Sequence, residues 1–273
     1  MSTSPTRPGH RSPSAAPLDP GHFNQLAWDR LALAGDHFFG AATARQIAAA
    51  RLGQLKIRVT PQIPLPLSWL EPFSGKQILC LGGGGGQQAP LLAAAGADVT
   101  VFDLSPQQLQ RDRQVAQQEN LTLTTVLGDM ADLSQLKNNS FDLIVNPCSV
   151  CYCPDVKPIW REAFRVLKPG GQLIAGLINP VYYLFDAAQM NQGKLIAKHA
   201  IPYSDLDLSN EERIRLWGTE RPLEFGHTLG ELLGGQLQVG FCLIDMFEDG
   251  WAGGDKLSQK IPTFLATRAS KNG

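Results

Sequence analysis

The 273 residues are 43% apolar and 18% charged, a balance that fills a core and excludes an intrinsically disordered chain. A net charge of -1 offers no general attraction to a polyanion, which weighs against a dedicated nucleic-acid enzyme. No apolar run approaches the roughly 20 residues of a membrane span, and no basic segment followed by an apolar one opens the chain. The expectation is one large cytoplasmic domain, or one domain with insertions.

Residues 1–20, from Met1-Ser-Thr-Ser-Pro5 to Asp19-Pro20, are rich in Ser, Pro and Gly and read as a disordered tail. Phe23, Leu26, Ala27, Arg30, Leu31 and Ala34 then recur at helical spacing, and the alanine-rich stretch from Ala41 to Leu52 is helical too. Thr60-Pro-Gln-Ile-Pro-Leu-Pro66 is extended and carries the chain to its core.

The apolar run Gln77-Ile-Leu-Cys-Leu81 ends in five glycines, Gly82 to Gly86. A strand that runs into glycines lets backbone pass close to a ligand, because no Cβ intervenes. The next apolar run, Val99-Thr-Val-Phe102, stops at Asp103, an acid placed to accept hydrogen bonds from a ribose. Together they imply a nucleoside-containing cofactor. The dinucleotide pattern G-x-G-x-x-G fails, because its last position falls on Gln87 or Gln88, or its first on Leu81. The spacing that fits is G-x-G-x-G at Gly82, Gly84 and Gly86. No Lys-Ser or Lys-Thr follows, so a P-loop is excluded. The glycines taken alone also suit a plain linker.

Strands are expected at 77–81, 98–103, 123–127, 141–145 and 172–178, with helices at about 87–95, 105–119 and 156–167. Ser105-Pro106 is an N-cap followed by a first-turn proline, and Lys168-Pro-Gly-Gly171 stops a helix in a tight turn. Alternating strands and helices make a parallel sheet covered on both faces, with ligands beyond the carboxyl ends of its strands. The glycine loop, Asp103, Gly128-Asp129 and Asn146 each lie at such an end.

Five segments carry a resemblance. They are Ile78-Leu-Cys-Leu-Gly-Gly-Gly-Gly-Gly86, Val101-Phe-Asp-Leu-Ser105, Gly128-Asp-Met-Ala-Asp132, Phe141-Asp-Leu-Ile-Val145 and Arg161-Glu-Ala-Phe-Arg-Val-Leu-Lys-Pro-Gly-Gly171. In this order, from about Lys76 to Ile178, the chain resembles a class I S-adenosylmethionine (SAM)-dependent methyltransferase of the small-molecule, type 11, ubiquinone-biosynthesis-like kind. One position departs: many members carry an acid two residues before the first glycine, and here it is Cys80.

The resemblance implies an α/β, Rossmann-like doubly wound fold with a seven-stranded, mostly parallel sheet and an antiparallel C-terminal strand. It implies SAM as cofactor, S-adenosylhomocysteine as product, and a small organic methyl acceptor. Gly82, Gly84, Gly86, Asp103, Leu104, Asp129, Met130 and Asn146 are its expected cofactor residues. Asp129 would accept from the adenine amine, or instead cap the turn that follows it. Residues 21–75 would be a helical lid and linker, in which Trp28, Arg30 and His37 face a substrate or simply pack. Residues 76–273 would be the core.

From Asn179 to Pro222 the strand–helix rhythm breaks, and the aromatic, turn-rich stretch at about 179–227 is expected to form the acceptor pocket with the lid. Tyr182, Tyr183, Tyr203, Trp217 and His227 are its candidate lining. A helix at 229–237 and strands at 238–247 and 263–268 complete the chain.

Methyl transfer from a sulfonium is an in-line displacement that leaves a neutral thioether, so positioning and exclusion of water supply most of the acceleration. A base helps only an acceptor that starts protonated. His227, after Leu223-Glu-Phe-Gly226, is the candidate base or a structural cap, with Tyr203 and Asp205 as weaker candidates. Cys148, Cys151 and Cys153 cluster without a second C-x-x-C pair, so the expectation is no metal, with small thiols lining the cleft. Asn146-Pro147 leaves a nucleic-acid amino-methyltransferase as an alternative, although Cys148-Ser149 stands where a base-gripping loop wants Pro and an aromatic. A SAM protein with other chemistry is a further alternative. The expected partners are a small acceptor, no nucleic acid and no membrane.

Overall fold

The computed structural model describes residues 18–35, 40–251, 253 and 255–272; the side chains of Asn191 and Trp217 lie outside that description. Residues 1–17 of the expected tail, and His37, lie outside it as well. The end of the expected tail is a correction. Helix α1 (Pro20–Ala34) has Asp19 as its N-cap, with Oδ1 accepting the Gly21 and His22 amides at 3.0 and 3.4 Å. Asp19-Pro20 is therefore a helix start of the kind Ser105-Pro106 announces, hidden because no apolar period precedes it. Helix α2 (Ala44–Arg51) begins in a capping box between Thr43 and Gln46. After the extended stretch and a short helix α3 (Leu67–Leu70) the chain enters the sheet.

The main sheet comprises β1 (Gln77–Leu81), β2 (Asp98–Asp103), β3 (Thr124–Leu127), β4 (Phe141–Asn146), β5 (Leu167–Ile178), β8 (Phe241–Asp249) and β9 (Phe264–Lys271). A separate ribbon pairs β6 (Tyr203–Ser204) with β7 (Phe225–Gly226). The strand order is β3-β2-β1-β4-β5-β9-β8, with β1 to β5 parallel and β9 antiparallel to both its neighbours. This is the expected doubly wound sheet. Lys168 to Gly171 form a bulge inside β5, since Phe141 pairs with Leu167 and Leu143 with Gln172.

Helices α4 (Gln88–Ala94) and α5 (Pro106–Glu119) cover one face with α2, and α6 (Lys157–Val166) covers the other. Alternation along β1 sorts the core: Ile78 and Cys80 face the first layer, Leu79 and Leu81 the second. Between the sheet's last parallel strand and its hairpin lie α7 (Ala187–Asn191), α8 (Asn210–Trp217) and α9 (Gly235–Gln238). The helix expected over 229–237 is a π-turn, Gly230–Gly234, running into α9. Gly235 packs where an added Cβ would lie 2.8 Å from Trp160, and Gly240 turns at φ 108°, so the strand expected from residue 238 begins at Phe241.

The stretch before α3 is laid across the carboxyl side of the sheet. Val59 presses its carbonyl onto β5 at Gly176, where a Cβ would sit 1.9 Å from that oxygen. The same carbonyl accepts the Cys148 amide at 3.1 Å. Asp249, at the end of β8, accepts the Gln62 and Ile63 amides at 2.8 and 3.0 Å. No described helix is long and apolar enough to cross a membrane.

Candidate active site

The glycine loop and the tip of β2 form one hydrogen-bonded unit. Gly82, at φ 58°, has no room for a side chain: a Cβ would meet Met130 Cε at 2.5 Å and Ser149 Oγ at 2.7 Å. Gly84 donates its amide to Asp103 Oδ2 at 2.8 Å, and a Cβ there would lie 2.9 Å from the carboxyl carbon. Asp103 Oδ1 accepts the Ser105 amide at 2.9 Å. Burial pushes the Asp103 carboxyl above its ordinary pKa, and the amides of Ser105, Gly84 and Leu104 oppose that rise. Gly82, Gly83, Gly84, Asp103 and Leu104 all line a cavity of about 620 Å³.

Gly86 does not line it. This glycine, at φ 75°, accepts the Ala42 amide at 2.7 Å and anchors the chain entering α2. Asn146 is also set back: fully buried, it donates Nδ2 to the Leu81 carbonyl at 2.7 Å and to Ser149 Oγ at 2.8 Å, which ties β4 to the root of the glycine loop. It does not line the cavity. Asp129 and Met130 line the cavity, and Asp129 Oδ1 accepts the Ala131 amide at 2.9 Å, the turn cap given above as its alternative.

The other half of the cavity is built from side chains far apart in sequence. Trp28 of α1 meets Tyr152 edge to face with ring centroids 5.0 Å apart, and Trp251 meets Phe264 likewise at 4.9 Å. Tyr182, Thr60, Arg58 and the Arg221–Glu224 ion pair complete the wall. Asn24 bolts α1 down: it donates to the carbonyls of Tyr152 and Leu223 at 2.9 and 3.1 Å and accepts the Leu223 amide at 2.7 Å. Asp29 fastens the same helix to the start of α5, accepting Ser105 Oγ at 2.5 Å and the Gln107 amide at 3.2 Å. Through Asn24 and Trp28, α1 lines the cavity.

The two candidate catalytic side chains are not on this wall. His227 is buried, with Nε2 3.0 Å from the Cys153 carbonyl and the Val150 backbone beside it; burial holds its pKa below the ordinary 6.5. The ring is engaged by two backbone groups and does not line the cavity, an arrangement that suits the structural cap given as its alternative. Tyr203 donates to Asp205 Oδ1 at 2.7 Å and stacks on Tyr183, while Asp205 Oδ2 accepts the Glu224 amide at 2.8 Å. The pair therefore sets the segment that carries Arg221 and Glu224, from behind. Arg30 pairs with Glu220 and Tyr183 is buried away from the cavity, whereas Tyr182 reaches it.

Cys148 and Cys153 line the cavity, and burial pushes the thiols of Cys148, Cys151 and Cys153 upward, so they are protonated near neutral pH. Among the described residues, no group of three or more His, Cys, Asp or Glu side chains gathers to hold a metal. Sequence reasoning missed Asn24, Arg58, Tyr152, Arg221 and Glu224, for which no local motif exists.

A glycine cradle without room for a Cβ, a carboxylate at the tip of β2 and a cavity of this size fit a nucleoside cofactor bearing a short polar tail. Residues 79–175 match the family described as "Methyltransferase domain". The chain is 45% identical over 249 residues to "Uncharacterized methyltransferase YbaJ" of Bacillus subtilis (strain 168), covering 91% of this chain and 97% of that one. It is 32% identical over 129 residues to "Ubiquinone biosynthesis O-methyltransferase" of Acinetobacter baumannii (strain AYE), covering 45% of this chain and 54% of the relative. In fold it is similar to a SAM-dependent methyltransferase from Mesorhizobium loti, with a TM-score of 0.58 at 22% identity over 75% of this chain and 94% of that one. With 45% identity to a methyltransferase over nearly the full length of both chains, and the glycine cradle and sheet order beside it, this chain belongs to the methyltransferases.

Proposed function

We propose that this methyltransferase acts on a small organic acceptor, seated between α1 and the 179–227 segment. The observation that carries the reading is the aromatic far half of the cavity. At about 620 Å³, the cavity falls within the roughly 300–1,000 Å³ of small-molecule sites. Its far walls are the Trp28–Tyr152 and Trp251–Phe264 pairs, with the Arg221–Glu224 pair as a polar pole. Such walls suit a planar, conjugated acceptor held by ring faces and edges. A duplex or a folded protein would need an open groove there, and Asn24 and Asp29 pin α1 across it.

When bound, SAM supplies a methyl group on a good leaving thioether. The chain's residues do the rest. In this reading Gly82 and Gly84 admit the cofactor to the backbone, Asp103 accepts from its ribose, and Asp129, Met130 and Leu104 frame its base. The aromatic walls and Asn24-anchored lid hold the acceptor in line and exclude water, which is the part of the barrier that orientation lowers. The buried positions of His227 and Tyr203 favour an acceptor that needs no protein base from either. Five cysteines, all unpaired, suit a reducing, cytoplasmic setting.

The test is a screen of metabolite extract fractions with methyl-labelled SAM, using wild type and Trp28→Ala. Label should appear in a low-molecular-weight, ultraviolet-absorbing product and fall with Trp28→Ala while SAM affinity holds. Label found only in RNA, DNA or protein would overturn the reading.

A further inference from the structure

Below the glycine loop lies a carboxyl group that none of the assignments above uses. Asp112 of α5 is fully buried and does not line the cavity. Its Oδ2 accepts the Gly85 amide at 2.8 Å, and the Gly86 amide faces it too. Its Oδ1 is buried with no hydrogen-bond partner. Gly85 sits at φ 116°, a conformation open to glycine and strained for any residue with a Cβ. Cys80 of β1, at the position where the resembled family often carries an acid, is fully enclosed and within electrostatic reach of this carboxyl.

The charged neighbours come from three elements: Asp103 at the tip of β2, and Arg111 and Arg113 on α5, besides Cys80 on β1. Arg113 spends its guanidinium on Gln110 and Thr125, at 3.0 and 2.7 Å. Burial, aided by the charge of Asp103, pushes Asp112 up to about 7, against the pull of the glycine amides and Arg113. Its ionisation therefore answers to whatever charge enters the cradle above.

We propose that Asp112 is a positioning residue that fixes the glycine loop through Gly85 and, as a carboxylate beneath it, makes the site prefer the cationic sulfonium of SAM over the neutral thioether of the product. The inference rests on the glycine loop being the cofactor cradle. SAM with its ammonium, carboxylate and sulfonium carries one net positive charge, and S-adenosylhomocysteine carries none. A cation over the loop favours the carboxylate form, so SAM binding drives the Asp112 proton to solvent. By linkage, ionised Asp112 binds SAM more tightly. Once the methyl group has left, that advantage disappears and the product is released more readily. An ionised Asp112 also accepts the Gly85 amide through a charge-assisted bond, which is shorter and stronger than a neutral one.

Isothermal titration of SAM and of S-adenosylhomocysteine from pH 6 to 8.5, on wild type and Asp112→Asn, reads the effect. Relative to Asp112→Asn, wild-type affinity for SAM should rise by roughly three- to tenfold across this range, and the SAM-over-product preference with it. The double variant Cys80→Asp/Asp112→Ala, which moves the acid to β1, should recover most of the preference. Apo stability has the opposite sign. A carboxyl raised from 3.8 to about 7 stabilises the fold fully below 3.8 and loses that contribution as pH rises to 7. Asp112→Asn should therefore be at least as stable as wild type at pH 8. Equal pH slopes and equal SAM-to-product ratios in wild type and folded Asp112→Asn overturn the proposal. Failure of wild type to bind SAM would instead sink the cradle. Should neither variant fold, carboxyl ¹³C titration of wild type decides: a carboxyl titrating near neutral pH must move down with SAM and scarcely with product, and its absence overturns the proposal.

Discussion

The cofactor half and the acceptor half of the cavity are built in different ways. The first is made of backbone: consecutive glycines, the amides they present, and strand-tip residues within one run of βα units. The second is made of side chains from α1, the 148–152 turn, the 221–224 segment and the C-terminal hairpin, which meet only in the folded protein. Backbone geometry constrains residue type tightly, because only glycine tolerates the approach. Side-chain walls leave it loose. An enzyme family can keep one cofactor and exchange acceptors when the two halves are constructed so differently.

The strongest way to break the first half is Gly84→Ala. Its Cβ would lie 2.9 Å from the Asp103 carboxyl carbon, forcing the acid off the loop. SAM affinity should fall by on the order of 3 kcal/mol, the loss of one or more charge-assisted bonds. Calorimetry showing wild-type affinity would mean the cofactor does not use this cradle. Asp103→Ala comes next, at about 1.5–3 kcal/mol for a charged acceptor. Its melting temperature should hold to within a few degrees, which separates lost binding from lost fold.

Asn24→Ala tests the second half. Three hydrogen bonds to backbone vanish, two of them buried, and about 1–3 kcal/mol of stability should go with them. Acceptor KM should rise while SAM affinity changes little. An equal loss of both would show that the halves are one unit. The smallest effect is expected at His227. Its folded pKa lies below 6.5, so neutral imidazole is the form the fold holds, and stability is lost as pH falls through 6.5 when the unfolded chain takes up the proton. His227→Gln should flatten that acid-side slope, cost about 1 kcal/mol at pH 8 through its carbonyl contacts, and leave turnover within a few-fold. A drop of 10²-fold or more, the size of general-base assistance, would return the histidine to the chemistry.

Strands β1 to β5, their order of use and the seat of Asp103 were legible because each depends on neighbours in sequence: apolar runs, glycines at a tip, Ser-Pro before a helix. The acceptor half was not, since Asn24 finds Leu223 from 199 residues away and no periodicity records that meeting. His227 was legible only as two alternatives, base or cap, for a related reason. The 150–153 turn that packs on it comes from another part of the chain. Asn146 misled because a strand tip looks into the site in general, while the close turn at Ser149 draws this one amide backwards.

The chain crossing from Val59 to Ile63 has a consequence in time. During synthesis this stretch leaves the ribosome early, yet its resting places are Gly176 on β5 and Asp249 at the end of β8, and α1 waits further for Leu223. The Gln62–Asp249 contact spans 187 residues of sequence, so seating this crossing is a high-contact-order step.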